Sequence, residues 1–192
     1  NVLDFYKDTE NIYLENYENV AFRNLNILKE NGIIIKESEL GLKFEDLTRI
    51  IFNKIGFNVD EKLKNTLNTT KDKIDVLLNL GNDEIIIVEC KTIKESSYNK
   101  FSSVSRQLKS YQSLALKNNL RVIKVLLIAP DFSEDFVSDC EMDTEMNLSL
   151  ITASTLSRIA GTFKLSKHKI FPHILFRDVI INEERILKAL IK

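Results

Sequence analysis

The chain has 192 residues, 44% hydrophobic and 29% charged, with a formal net charge of −1, enough to bury one sizeable core and too little for two full domains. No apolar run reaches the length of a membrane-spanning helix, and the start, Asn1-Val2-Leu3-Asp4, has neither a basic signal region nor an initiator Met; a cytoplasmic protein without a membrane partner is expected, cut from a larger chain. The two cysteines, Cys90 and Cys140, lack metal-ligand spacing and do not make a disulfide scaffold, so both are expected to be reduced.

Residues 11–31 are rich in helix formers, with Val20, Phe22, Leu25 and Leu28 at helical spacing and Gly32 placed to follow the last turn. Ile33-Ile34-Ile35 is a short strand or a buried turn. Residues 39–55 predict an amphipathic helix: Phe44, Leu47, Ile50, Ile51 and Ile55 share one face, Gly56 closes it, and Glu45 and Arg49 lie on another stripe. Phe57-Asn58-Val59 opens a first strand, followed by a polar loop over 65–71. Residues 73–80 and 84–91 then form a hairpin around Gly81-Asn82-Asp83. Residues 96–119 carry Phe101, Val104, Leu108, Tyr111 and Leu114 with helical periodicity, and 121–129 read as a buried strand, parallel to 84–91 through a right-handed crossover. Pro130 ends it. A short helix over 131–140, a fifth strand over 147–152, a helix over 154–163, a loop with His168, Pro172 and His173, and a terminal helix over 183–191 complete a mixed sheet flanked by helices.

The hairpin carries the chemistry. Pairing Leu80 with Glu84 across a three-residue turn sets Asp75 directly opposite Glu89. Side chains alternate along a strand, so Lys91 falls on the face of Glu89 while Cys90 points the other way. Like charges opposite one another destabilise a sheet, and a divalent cation between the carboxylates relieves them. The bland alternative is a solvated hairpin face. Ile85, Ile86, Ile87 and Val88 argue against it, because a strand apolar on both faces is an interior one. Charge is also uneven along the chain: residues 1–60 carry 7 basic and 11 acidic side chains, 61–130 carry 12 and 7, and 131–192 carry 8 and 10. A polyanion would be drawn to the middle third, although solvated helix lysines give the same count.

The series Glu45 on a helix, Ile74-Asp75, thirteen intervening residues, Glu89-Cys90-Lys91, and Gln107 on the next helix resembles the core of the PD-(D/E)xK, or restriction-endonuclease-like, nucleases over residues 39–129. Ile74 stands where the family usually has proline. The order of elements over 148–191 is similar to the end of type IIS cleavage domains. The resemblance implies an α/β fold with a central mixed sheet of about five strands flanked by helices in αβββαβ order. It divides the chain into an N-terminal helical extension over 1–38 and a nuclease domain over 39–192.

The same resemblance implies a Mg2+-dependent endonuclease, with Mn2+ able to substitute, acting on duplex DNA as the cleavage module of a prokaryotic restriction or defence enzyme. Asp75, Glu89 and the Cys90 backbone carbonyl would hold the metal, Glu45 would add a carboxylate, and Gln107 would reach toward the site. Lys91 would orient the attacking water or stabilise charge on the phosphate. Tyr111 is assigned to the core, and Lys100, Arg106 and Lys109 mostly to a solvated helix face. His168 and His173 lack the partners of a His-metal nuclease. A homodimer and a separate recognition domain in the parent chain are both compatible with this reading. A Holliday-junction resolvase, a repair or RNA-cutting nuclease, and an inactive nucleic-acid or protein-binding module remain open as alternatives.

Overall fold

Where the apolar spacing predicts one helix over 11–31, the computed structural model, which describes residues 10–94 and 96–192, breaks it in two. Helical residues 10–15 lead into α1 (Tyr17–Ala21), the chain turns at Arg23 with φ 54°, and α2 (Leu25–Glu30) starts afresh. The reason is local: the Asn24 side chain accepts a hydrogen bond from Ile27 N and caps the new helix. Gly32, at φ +85°, ends α2 as expected. Ile33–Ile35 forms no strand; Ile33 is buried and Ile34 is 88% exposed.

A short 3-10 turn, Glu37–Glu39, precedes α3 (Leu40–Lys54), which buries Leu40, Phe44, Leu47, Ile51 and Phe52. Gly56, at φ +94°, then reverses the chain so closely against Lys169 that a Cβ there would lie 2.3 Å from its carbonyl oxygen. β1 (Asn58–Val59) is only two residues long, because Asp60 accepts from Leu63 N and starts a helix, α4 (Glu61–Leu67), in a stretch that reads as strand and loop. β2 (Val76–Gly81) and β3 (Glu84–Cys90) form the hairpin, followed by α5 (Phe101–Lys117), β4 (Arg121–Ala129), α6 (Glu134–Met142), β5 (Leu148–Thr152) and α7 (Ala153–Phe163). A 3-10 turn at His173–Leu175 and α8 (Glu183–Ile191) close the chain.

The strands lie in the order β1-β2-β3-β4-β5, antiparallel over the first three and parallel from β3 to β5, so the sheet is mixed and β3 is central. The hairpin turn differs from the three-residue expectation. Gly81 pairs with Glu84, leaving Leu80 as a bulge and Asn82-Asp83 as a two-residue turn with φ 53° and 61°. The bulge absorbs the shift. Below it Val76 pairs with Val88, the register that brings Asp75 opposite Glu89.

One apolar layer joins α1, α3, α7 and α8 to Val76, Leu78, Ile86, Val88 and Leu126; the other joins α5 and α6 to Leu77, Ile85, Ile87, Val125 and Leu127. The alternation along β3 sorts its side chains between the two. Tyr17, Val20, Ala21, Leu28 and Ile33 share the first layer with α3. Among the described residues, no helix is long and apolar enough to cross a membrane.

Candidate active site

The carboxyl end of β3 lies where both layers meet the edge of the hairpin. Asp75 stands one residue before β2, and its Oδ2 accepts a hydrogen bond from Cys90 N at 2.8 Å. The Asn68 side chain holds the preceding residue at both backbone atoms, accepting from Ile74 N (2.9 Å) and donating to Ile74 O (3.1 Å). Glu89, 1% exposed, turns to the α5 layer as the alternation requires. Its Oε2 is 3.2 Å from the Tyr111 hydroxyl and 3.9 Å from Lys91 Nζ. Lys91 Nζ donates to Gln107 Oε1 at 3.0 Å, and Gln107 Nε2 donates to the Tyr111 hydroxyl at 2.8 Å. That hydroxyl is also 2.7 Å from the Lys73 carbonyl oxygen, which takes its proton.

Glu45 comes from the opposite side, on α3, near enough for the charge of Asp75 to act on its carboxyl. Asp75 thus lies between two other carboxyl groups, those of Glu45 and Glu89, and each acts on its titration. Burial is the first consequence: it pushes Asp75 up to about 8, with the hydrogen bond and charge of Glu89 adding to it. Burial and then the Asp75 charge push Glu45 up to about 7. A cation beside these carboxylates relieves that crowding, and an all-oxygen donor set suits a hard one such as Mg2+. Among the described residues no three His, Cys, Asp or Glu side chains group closely enough to hold a metal by themselves, so backbone carbonyl oxygen and water would complete its shell.

Two cations support Asp75 from behind. Arg49 Nη2 lies 3.3 Å from the Asp75 carbonyl oxygen and 3.6 Å from Glu45 Oε2, and the same guanidinium pairs with Asp46 and, at 3.0 Å, with Glu61. Lys64 Nζ donates to Glu61 (2.8 Å) and reaches the Asp75 carbonyl oxygen at 3.5 Å. The i,i+4 pair of Glu45 with Arg49 and the approach of Glu45 to Asp75 therefore coexist. Cys90 faces the α3 layer, where burial and then the Asp75 charge push its thiol well up; both cysteines are free.

The structure brings Asp75, Glu89, Lys91, Glu45 and Gln107 together. The histidines lie elsewhere, with His173 beside Ile123, Lys124 and Asn147 at the other end of β4. Lys109 is taken up by Asp143 (3.2 Å) and Glu145 (3.1 Å). Sequence reasoning passes over Lys64 and Asn68, which depend on the unforeseen helix α4. It pairs Tyr111 with Gln107 one turn away but assigns it to the core: the ring is buried, and the hydroxyl meets both Gln107 and Glu89. The four-residue spacing from Gln107 was the available signal.

A glutamate-bearing helix, an antiparallel hairpin ending in Asp and Glu-x-Lys, a crossover helix and parallel strands make up a restriction-endonuclease-like fold. The chain superposes on the restriction endonuclease FokI with a TM-score of 0.58 and 13% identity, over 84% of this chain and 34% of that one. It superposes on the small subunit of the heterodimeric restriction endonuclease R.BspD6I with a TM-score of 0.52 and 16% identity, over 92% and 87%. It spans about a third of FokI's length. No protein-family model and no curated protein sequence matches it.

Proposed function

We propose that the chain is a metal-dependent endonuclease for duplex DNA, the cleavage module of a prokaryotic restriction or defence enzyme. The observation that carries this reading is the convergence of Asp75, Glu89 and Lys91 at the end of one central strand, with Glu45 and Gln107 beside them. Asp75 and Glu89 would hold a Mg2+ ion, with the Cys90 carbonyl as a further oxygen ligand and Glu45 adding a carboxylate to that site or to a second one; Mn2+ would substitute. The ion supplies charge neutralisation at the phosphate and an acidified water. Lys91, held by Gln107 3.0 Å away, orients the attacking water or stabilises charge on the phosphate. Tyr111 keeps Gln107 in place.

Duplex DNA is drawn to the basic middle third of the chain. Sequence recognition lies in another domain of the parent chain or in a second protein, since a near-neutral chain offers no recognition element of its own. A homodimer places two sites across two strands; light scattering with and without DNA tests it, and a strict monomer that makes double-strand breaks overturns it. The deciding experiment incubates the protein and an Asp75→Ala control with supercoiled plasmid, linear duplex and single-stranded RNA, each in Mg2+ or EDTA. Metal-dependent duplex cleavage that the control lacks is expected. No cleavage of any substrate, together with undetectable Mg2+ binding by calorimetry, overturns the reading in favour of a binding module.

A further inference from the structure

We infer that Arg23 is a positioning residue for Lys91: its guanidinium clamps the first residue after Lys91 to the loop that leads into α3. The inference rests on the reading of Lys91 as the catalytic lysine. Lys91 is the last residue tied to the sheet, its N donating to Ile128 O at 2.8 Å. Beyond it, among the described residues, the hydrogen bonds of Thr92 and Ile93 go to the N-terminal segment, while the Ile93 side chain packs on the α5 layer. Ile93 N donates to Ala21 O at 3.0 Å, and Arg23 Nη1 donates to the Thr92 hydroxyl at 3.0 Å. The other end of the guanidinium, Nη2, donates to Glu37 O at 2.7 Å, with the Glu37 carboxylate 4.0 Å away. One side chain therefore ties together two loops, one leading to the helix of Glu45 and the other leaving Lys91.

The anchor is buried. Tyr17, Val20 and Ala21 are fully buried against α3, and the Tyr17 hydroxyl is hydrogen-bonded to Thr48 on that helix. Arg23 sits at φ 54°, a left-handed conformation that strains a side-chain-bearing residue. Glycine or asparagine would make this turn with less strain. An arginine held there instead gives up that advantage and directs its planar fork at two acceptors on different loops. The far end of the loop is secured separately, by Tyr98 N to Asp131 O (2.9 Å) and Ser133 N to Tyr98 O (3.2 Å). At the near end, Arg23 is what holds Thr92, the residue adjoining Lys91, and the Ala21–Ile93 bond holds the next one.

Freeing Thr92 lets the Lys91 backbone shift, and Lys91 Nζ then loses its placement between Gln107 and Glu89. Misplacement of a reacting group by about 1 Å lowers rates by on the order of 10- to 100-fold. The test compares the full chain with Arg23→Ala, Arg23→Lys, Thr92→Val and the Arg23→Ala/Thr92→Val double variant. It reads single-turnover cleavage of duplex DNA per folded molecule, DNA affinity, and the 15N resonance of Lys91 Nζ. Arg23→Ala and Thr92→Val are expected to slow cleavage by roughly 10- to 100-fold at unchanged DNA affinity. Arg23→Lys recovers part of the rate, and the double variant is no slower than Arg23→Ala. A role in stability alone leaves the rate per folded molecule and the Lys91 resonance unmoved, and that result overturns the inference. Should Arg23→Ala fail to fold, Thr92→Val decides by the same readouts. Should the unaltered protein cleave nothing, the nuclease reading fails by itself; a displaced Lys91 resonance in the variants then upholds the clamp, and an unchanged one overturns it.

Discussion

Lys91 is the residue on which the proposed chemistry turns, and it is not itself one of the proposed metal ligands. Its ammonium is engaged by Gln107 at 3.0 Å and stands 3.9 Å from Glu89. Lys91→Ala is therefore expected to reduce cleavage by at least ~100-fold, the scale of losing one preorganised donor. Mg2+ affinity measured by calorimetry should stay nearly the same; cleavage at the normal rate refutes the assignment. Tyr111→Phe tests the residue that helical spacing alone assigns to the core. Removing the hydroxyl takes a partner from Gln107 and a neighbour from Glu89, so a several-fold fall in rate is expected while the buried ring maintains the fold. A rate equal to that of the unaltered protein would return Tyr111 to a purely apolar role.

At the level of elements, Asp75, Glu89 and Lys91 were legible because strand alternation and hairpin register are properties of short segments. The register was right while the turn was not. Asn82 and Asp83 both accept positive φ, so a tight two-residue turn forms and Leu80 is left over as a bulge. Asp83→Gly is expected to raise stability by about 0.5–1 kcal/mol, since glycine carries no penalty at φ 61°; urea denaturation measures it, and a loss of stability contradicts the account. Helix α4 escaped notice because Asp60 is a cap only if the chain turns there, and the two-residue β1 gives no periodicity. Gly56 could be read as a helix terminator but not as a contact. Its Cβ position is 2.3 Å from the Lys169 carbonyl oxygen, more than a hundred residues away in the chain. Gly56→Ala should destabilise by about 2–4 kcal/mol, combining strain at positive φ with a backbone clash. A change below the error of the unfolding measurement would mean that the 169–170 segment moves aside.

For the whole molecule, the cost of bringing three carboxyl groups together appears in the pH dependence of folding. Unfolded carboxyls titrate near 4, whereas Glu45 and Asp75 are raised to about 7 and about 8 in the fold. Groups raised in this way favour the folded state most below the unfolded value, and that advantage is lost as pH rises through the folded values. In EDTA, the thermal midpoint of Asp75→Asn relative to the unaltered protein is therefore expected to climb between pH 5 and pH 9. Mg2+ should raise the midpoint of the unaltered protein more at pH 8 than at pH 6, because at the lower pH binding must displace protons. A difference between the two proteins that is flat across this range contradicts the crowding of Asp75.

The sequence by itself determined the order of elements from the hairpin onward, the central apolar strand, and which of its charged residues share a face, because periodicity and alternation are local. It also placed Glu45 and Gln107 on the helices either side of the hairpin. Only the tertiary structure decided that Glu45 and Gln107 meet the same strand end from opposite layers, that Arg49, Lys64 and Asn68 hold Asp75 and the residue before it, and that α1 reaches the segment after Lys91. These contacts join residues far apart in the chain, and their geometry depends on how two layers of helices pack on a twisted sheet. No spacing within a single segment contains that information.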